Sequence, residues 1–194
     1  MTKAKTQYQE QLNQLPATYP QLAMRTNKPG AELKMDPKLW KALNTSHAMI
    51  MEGCYKADRL KAALVYGAKN KEFSYSAFPD LPRKLKPYEL EMLHAILGII
   101  SEGGELLEMF MERVSVGRVV DRTNVREEAG DVQWFLQLLT KSINGTQEEI
   151  MHMNIEKLHK RFGDKYSDLE GLVRDKESER ELLETITKEQ ESKK

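Results

Sequence analysis

Four carboxylates in this chain fall into two matched pairs. Glu102 and Glu105 stand three residues apart in "SEGGELLEMF", and Glu128 and Asp131 repeat the interval in "REEAGDVQWF". On a helix, residues three apart lie about 60° apart around the axis and share one face. If the two helices pack together, four carboxylates surround one small volume. Such a cluster repels itself and needs protons or cations to compensate it. Carboxylate oxygens are hard ligands suited to Mg²⁺, which keeps some of its water and bridges to substrate phosphates; Mn²⁺ is a plausible substitute. Gly103 and Gly104 lie inside the first pair and Gly130 inside the second. Each interior glycine costs a helix about 1 kcal/mol relative to alanine, so the glycines read as clearance for a neighbouring helix or a substrate. The competing reading is a solvated acidic face, common for a single Glu-x-x-Glu. Two such pairs, each among apolar residues, weigh against it.

The elements that must position these acids are helical. No run of alternating β-branched residues stands out, and apolar residues recur at helical spacing, which predicts an all-α antiparallel helix bundle. A short helix is predicted over Thr6–Leu15, ended by Pro16 and Pro20. Asp36 followed by Pro37 reads as an N-cap with proline at the first helical position, opening one or two helices that run to about Ala68. The aromatic- and proline-rich residues 70–87 read as an ordered loop. A long helix is predicted from Pro87 to about Val114. Asn124 with Glu127 reads as a capping box for the next helix, which Asn144-Gly145 closes. Thr146 with Glu149 repeats the capping pattern for a helix ending near Phe162-Gly163. The residues from Asp175 onward are almost all charged or polar and read as a helical arm that frays. Three segments follow: an N-terminal helical extension over 1–86, a core over 87–174 and an arm over 175–194.

Composition narrows the function classes. The 194 residues include 30 Lys+Arg against 30 Asp+Glu, which gives no support to a general nucleic-acid or anionic-membrane surface. The lone cysteine, Cys54, excludes an internal disulfide and fits a reducing compartment. No apolar run is long enough to span a bilayer, and Met1–Pro20 has no signal-peptide pattern. A cytoplasmic protein is expected.

The segments "EGGELLE" and "REEAGDVQWFL" resemble the all-α nucleoside triphosphate pyrophosphohydrolases of the MazG and dimeric dUTPase group. That family's signature is E-x-x-E, a variable spacer, then E-x-x-D. Here it reads Glu102-x-x-Glu105, twenty-two intervening residues, and Glu128-x-x-Asp131. "HAILGIISEGGEL", "GRVVDRTN" and "NIEKLHKRFGDKYS" are similar to the family's approach to its first acidic helix, its loop and its phosphate-contacting helix. "RDKESERELLE" is similar to tails of a phage and bacterial MazG-like branch. The likeness runs from Leu93 to about Glu184. Gly103 departs from it mildly, since the family usually has alanine or another small residue there, and the region before the core is long. The resemblance implies hydrolysis of a (deoxy)nucleoside triphosphate to the monophosphate and pyrophosphate. It also implies Mg²⁺ held by Glu102, Glu105, Glu128 and Asp131, and assembly as a homodimer or homotetramer. Glu105 and Glu128 are the candidate catalytic carboxylates, with Glu105 favoured as general base.

Asn154, Lys157 and Arg161 form one helical stripe that suits a triphosphate clamp, and the resemblance implies that role for Asn154 and Lys157 in particular. The competing reading is a solvated face paired with Glu156 or Asp164. Lys165 and Tyr166 are candidates for closing over a ligand. Trp134 is a candidate for base stacking, although core packing is the favoured reading for Trp134 and Phe135. "EGCYKADRLKAALVYG" faintly echoes "EGGELLEMFMERVSVG", with Tyr55 where Glu105 stands, and chance is the favoured explanation. Two rivals stay open. Glu91-x-x-His94 and Glu149-x-x-His152, with Glu52 and Glu128, write a ferritin-like di-iron site. The other rival is a catalytically silent helical binding protein of the same fold.

Overall fold

The structure, a computed structural model, describes residues 3–28, 36–67 and 85–192, with side chains from residue 6 onward. Those residues form eight helices and no strand, so the chain is all-α as expected. Most of the expected loop at 70–87 lies outside the described residues. The chain divides into two compact units, one of Leu33–Asn144 and one of Met1–Glu32 with Gly145–Lys194. This division differs from the segments expected from sequence: Leu12 and Leu22 pack with Ile155, so the first two helices share a unit with the helix that follows Thr146.

The Leu33–Asn144 unit contains α3 (Pro37–Tyr66), α4 (Pro87–Val116) and α5 (Arg122–Ser142). Asp36 caps α3 as predicted, its carboxylate accepting from the N–H groups of Lys38 at 2.7 Å and Leu39 at 2.9 Å. Gly67 ends this single helix at φ 66°, a left-handed conformation that favours glycine. Pro87 opens α4 as predicted, and the helix runs unbroken through Gly103 and Gly104. The start of α5 differs from the expectation. Asp121, not Asn124, is the N-cap, and its carboxylate takes the N–H groups of Thr123 and Asn124. The helix therefore begins earlier, and the Asn124 side-chain amide donates to Met109 Sδ on α4 instead.

Side-chain pairings fix the directions of these helices. Cys54 meets Gly104 and the Tyr66 hydroxyl meets His94, so α3 and α4 are antiparallel. Gly98 meets Phe135, and Lys141 bonds Glu91 at 2.9 Å, so α4 and α5 are antiparallel too. Two α4 glycines permit the close approach. A Cβ on Gly98 would collide with the Phe135 ring, and one on Gly104 would lie 2.6 Å from Cys54 Sγ and 2.7 Å from its Cβ. Gly103 and Gly130 have nothing within 4 Å of an added Cβ. Of the three glycines read as clearance, only Gly104 makes room for a neighbouring helix.

The other unit contains α1 (Lys3–Leu12), α2 (Tyr19–Met24), α6 (Gln147–Phe162), α7 (Asp168–Leu172) and α8 (Lys176–Glu191). Leu12, Leu22 and Ile155 form its buried core. Thr146 and Glu149 make the predicted capping box of α6. Helix α1 ends at Leu12, earlier than expected, and Pro20 stands in the first turn of α2, where its missing N–H costs nothing. The charged arm is also more ordered than expected. Asp175 caps α8, and Glu179 and Ile186 are buried.

The glycines yield a stability test. Gly104→Ala should lose about 1–3 kcal/mol through overpacking against Cys54, whereas Gly130→Ala should gain up to about 1 kcal/mol from helix propensity. Urea unfolding of both variants, followed by circular dichroism, reads the two effects directly.

Candidate metal centre

Three helices converge on the acids. From α4 come Glu102, which is buried, and Glu105, which is exposed; from α5 comes Glu128, which is buried. One carboxylate oxygen from each lies within 4.8 Å of the others. Among the described residues this is the only such group of three possible metal ligands. Asp131, the fourth expected ligand, lies one turn further along α5. It is exposed and acts on Glu128 through its charge.

The third contributor, α3, was not anticipated from sequence. Lys61 is buried and its ammonium donates to Glu102 Oε1 at 3.2 Å, Ser101 Oγ at 3.1 Å and Asp58 Oδ1 at 3.1 Å. Its Nζ also lies 5.1 Å from the centre of the Phe135 ring. A signal existed in the sequence. Met51, Cys54 and Ala57 mark the buried face of α3, and Lys61 continues that face four residues on. A lysine at a core position implies a buried anion opposite it.

The electrostatics follow from this crowding. Burial pushes the Glu128 carboxyl up from its ordinary 4.5 to about 7, helped by the charges of Glu105, Glu102, Glu127 and Asp131. Burial also raises Glu105, aided by Glu102 and Asp58 and opposed by Lys61 and a hydrogen bond with Glu128. For Lys61, burial works to lower the pKa, but hydrogen bonds and attraction to Asp58 and Glu102 outweigh it and the net shift is upward. Three hard oxygen donors, crowded enough to hold a proton near neutrality, fit a divalent cation that would replace that proton.

The remaining expected site residues lie in the other unit or away from the cluster. Arg161 does not present a free fork. It makes a two-pronged ion pair with Glu179 at 2.6 and 2.7 Å, and Arg174 joins the same carboxylate. Asn154 accepts from the Tyr19 hydroxyl at 3.1 Å. The Lys157 side chain has no hydrogen bond or ion pair among the described residues. Tyr166 is tied to Asp168 and packs beside Phe162, while Lys165 is exposed. Phe135 is core as expected, but Trp134 is 54 % exposed, its ring edge-on to those of His94 and Phe135. Glu127 plays no capping role, since Asp121 holds that position.

Four of the six expected di-iron ligands have other partners. Glu52 pairs with Lys56, Glu91 with Lys141, and His94 with the Tyr66 hydroxyl. Glu149 closes its capping box, and His152 lies with it in the other unit. Tyr55, at the position echoing Glu105, instead donates to Glu108. No helix among the described residues is long and apolar enough to cross a membrane. Compared with known proteins, the chain matches no family model, no curated protein and no solved structure.

The raised Glu128 pKa makes stability depend on pH in the absence of metal. Between about 4.5 and about 7 the folded state keeps a proton that the unfolded state releases, so stability falls as pH rises through that window. Glu179 acts in the opposite sense. Its hydrogen bond to Arg161 and those to Arg174 hold it down at about 2 despite burial, so its contribution is full above 4.5 and is lost as pH falls through 2. Chemical denaturation of metal-free protein across pH 4–8 should show the first slope, and Glu128→Gln should flatten it.

Proposed function

We propose that the Leu33–Asn144 unit is the catalytic unit of a Mg²⁺-dependent nucleoside triphosphate pyrophosphohydrolase of the MazG-like type, acting on a deoxynucleotide or ribonucleotide. The observation that carries this reading is the convergence of Glu102, Glu105 and Glu128 from two helices, in the order and spacing of the family's acidic signature. Glu102, Glu105 and Glu128 would hold the ion, with Asp131 as the fourth carboxylate that the resemblance implies. A bound Mg²⁺ supplies Lewis-acid polarisation of the phosphoryl group and lowers the pKa of an attacking water.

The chain's own residues divide the remaining work. Glu105 is the exposed member of the cluster and shares a hydrogen bond with Glu128. In this proposal it accepts a proton from water, with Glu128 as the neighbour that shares the charge. The resemblance assigns triphosphate binding to Asn154 and Lys157, and among the described residues the Lys157 ammonium has no hydrogen bond or ion pair. Arg161 is spent on Glu179 and is left out of the clamp.

Assembly as a homodimer or homotetramer belongs to the same proposal. On α4, Ile96, Ile100, Gly103, Leu107, Phe110 and Val114 recur at alternating intervals of four and three, the spacing of a helix-packing seam. Four of these six, Ile96, Ile100, Phe110 and Val114, are large apolar residues exposed in the single chain.

Pyrophosphate release from a panel of canonical and modified dNTPs and NTPs, with Mg²⁺, tests the reaction. Pyrophosphate and monophosphate as products support it. An intact panel with nucleotide still bound would favour the catalytically silent protein, and iron binding with a visible absorption band would favour the di-iron one. Glu105→Gln and Asp131→Asn should each reduce turnover to background while circular dichroism stays unchanged. Lys157→Ala should raise KM with kcat largely kept. Phe110→Glu should shift the molecular mass from light scattering to that of a single chain.

A further inference from the structure

Gly103 is a glycine of α4 that its own chain does not explain. An interior glycine costs a helix about 1 kcal/mol relative to alanine, and an added Cβ at Gly103 would meet nothing within 4 Å. Gly98 and Gly104, by contrast, are held to glycine by Phe135 and Cys54. Gly103 stands instead in the apolar row of Ile96, Ile100, Leu107, Phe110 and Val114. Helices α3 and α5 pack on the side of α4 that carries Gly98 and Gly104. Among the described residues of this unit nothing covers the row, and four of its large side chains stay exposed. A helix that is apolar on every side is one that is buried on every side.

The spacing of the row reads the same from either end. Two antiparallel copies of α4 crossing at the level of Glu105 therefore bring every member of the row against another member. Ile96 meets Val114, Ile100 meets Phe110 and Gly103 meets Leu107, and two-fold symmetry makes each layer occur twice. The leucine of one copy fills the notch that the glycine leaves on the other. A parallel pair would set Gly103 against itself and Phe110 against itself, leaving a gap in one layer and crowding another two turns away. An antiparallel pair slipped by one heptad would set Val114 against Glu89, or Ile100 against the helix-ending Gly117. Charge favours the same orientation. Glu89 in the first turn and Arg113 in the last stand at like ends in a parallel pair and at opposite ends in an antiparallel one, as do the helix dipoles.

We propose that two copies of this chain pair through α4 in antiparallel register, with Leu107 of each seated over Gly103 of the other. This rests on the homo-oligomer reading given above and not on the reaction. Glu105 lies two residues from both Gly103 and Leu107, about 200° around the helix from each. The row thus runs along the side of α4 opposite Glu105, and pairing leaves that carboxylate open to a ligand.

Sedimentation equilibrium of the full-length protein and of Gly103→Leu tests the contact. Nothing in the single chain opposes the larger side chain, so Gly103→Leu should keep its helix content by circular dichroism. It should weaken the dimer by at least about a hundredfold, because the overpacking is met at two symmetric layers. Orientation is read from nitroxide labels on the exposed Ser115→Cys in a Cys54→Ala background, by pulsed electron paramagnetic resonance. The two labels should lie more than about 30 Å apart in this register, against under about 20 Å in a parallel pair. A wild-type chain that sediments only as a monomer overturns the pairing and the assembly reading together. A folded Gly103→Leu that associates as tightly as wild type overturns the pairing and leaves assembly standing. The short label distance does the same, and it decides the matter even where Gly103→Leu fails to fold. The nucleotide panel alone decides the hydrolase reading.

Discussion

The ion pair between Lys61 and Glu102 is the constraint around which the three-helix unit is arranged. A carboxylate on the inner face of a helix bundle loses hydration worth several kcal/mol, and an internal partner must offset that loss. Lys61 supplies the partner, and its own burial is tolerated because Asp58, Ser101 and Glu102 satisfy its donors. Removing either member of such a pair typically costs about 3–5 kcal/mol, because the other charge stays buried alone. With Glu102 compensated, Glu105 and Glu128 remain as the uncompensated part of the cluster. There the proton affinity is raised, and there a cation has something to gain.

Helix packing brings these groups to one level. Gly104 lets α3 approach α4 at Cys54, about two turns from Lys61 along α3. Gly98 admits the Phe135 ring, whose centre lies 5.1 Å from the Lys61 ammonium. The two contacts bracket Ser101 and Glu102 on α4. Filling either glycine would therefore disturb the distances on which charge compensation depends, and not the packing alone.

The sequence made much of this legible where the cause is local. Asp36, Pro87 and the Thr146–Glu149 box announce helix starts because capping depends on residues adjacent in the chain. The acids of α4 and α5 were legible because a three-residue interval fixes a helical face. What depends on partners distant in sequence was harder to read. Lys61 continues the face of Met51, Cys54 and Ala57, but the carboxylate it meets is on α4, about forty residues on, and no local pattern names it. Arg161 looks like a phosphate ligand on its own stripe, and only α8, folding back with Glu179, removes it from that role. Asn124 lost the cap to Asp121 because two competent caps lie three residues apart, and propensity does not rank them. Gly103 was grouped with Gly104 by adjacency, although neighbours on a helix point about 100° apart and meet different surroundings.

Anomalous diffraction from crystals grown with Mn²⁺ tests the account most directly, because it locates the ion without reference to activity. The account predicts a strong peak among the carboxylates of Glu102, Glu105 and Glu128, with the Lys61 ammonium still on Glu102. A Mn²⁺-saturated crystal with no peak at that cluster, or with the ion held by other residues, would contradict it.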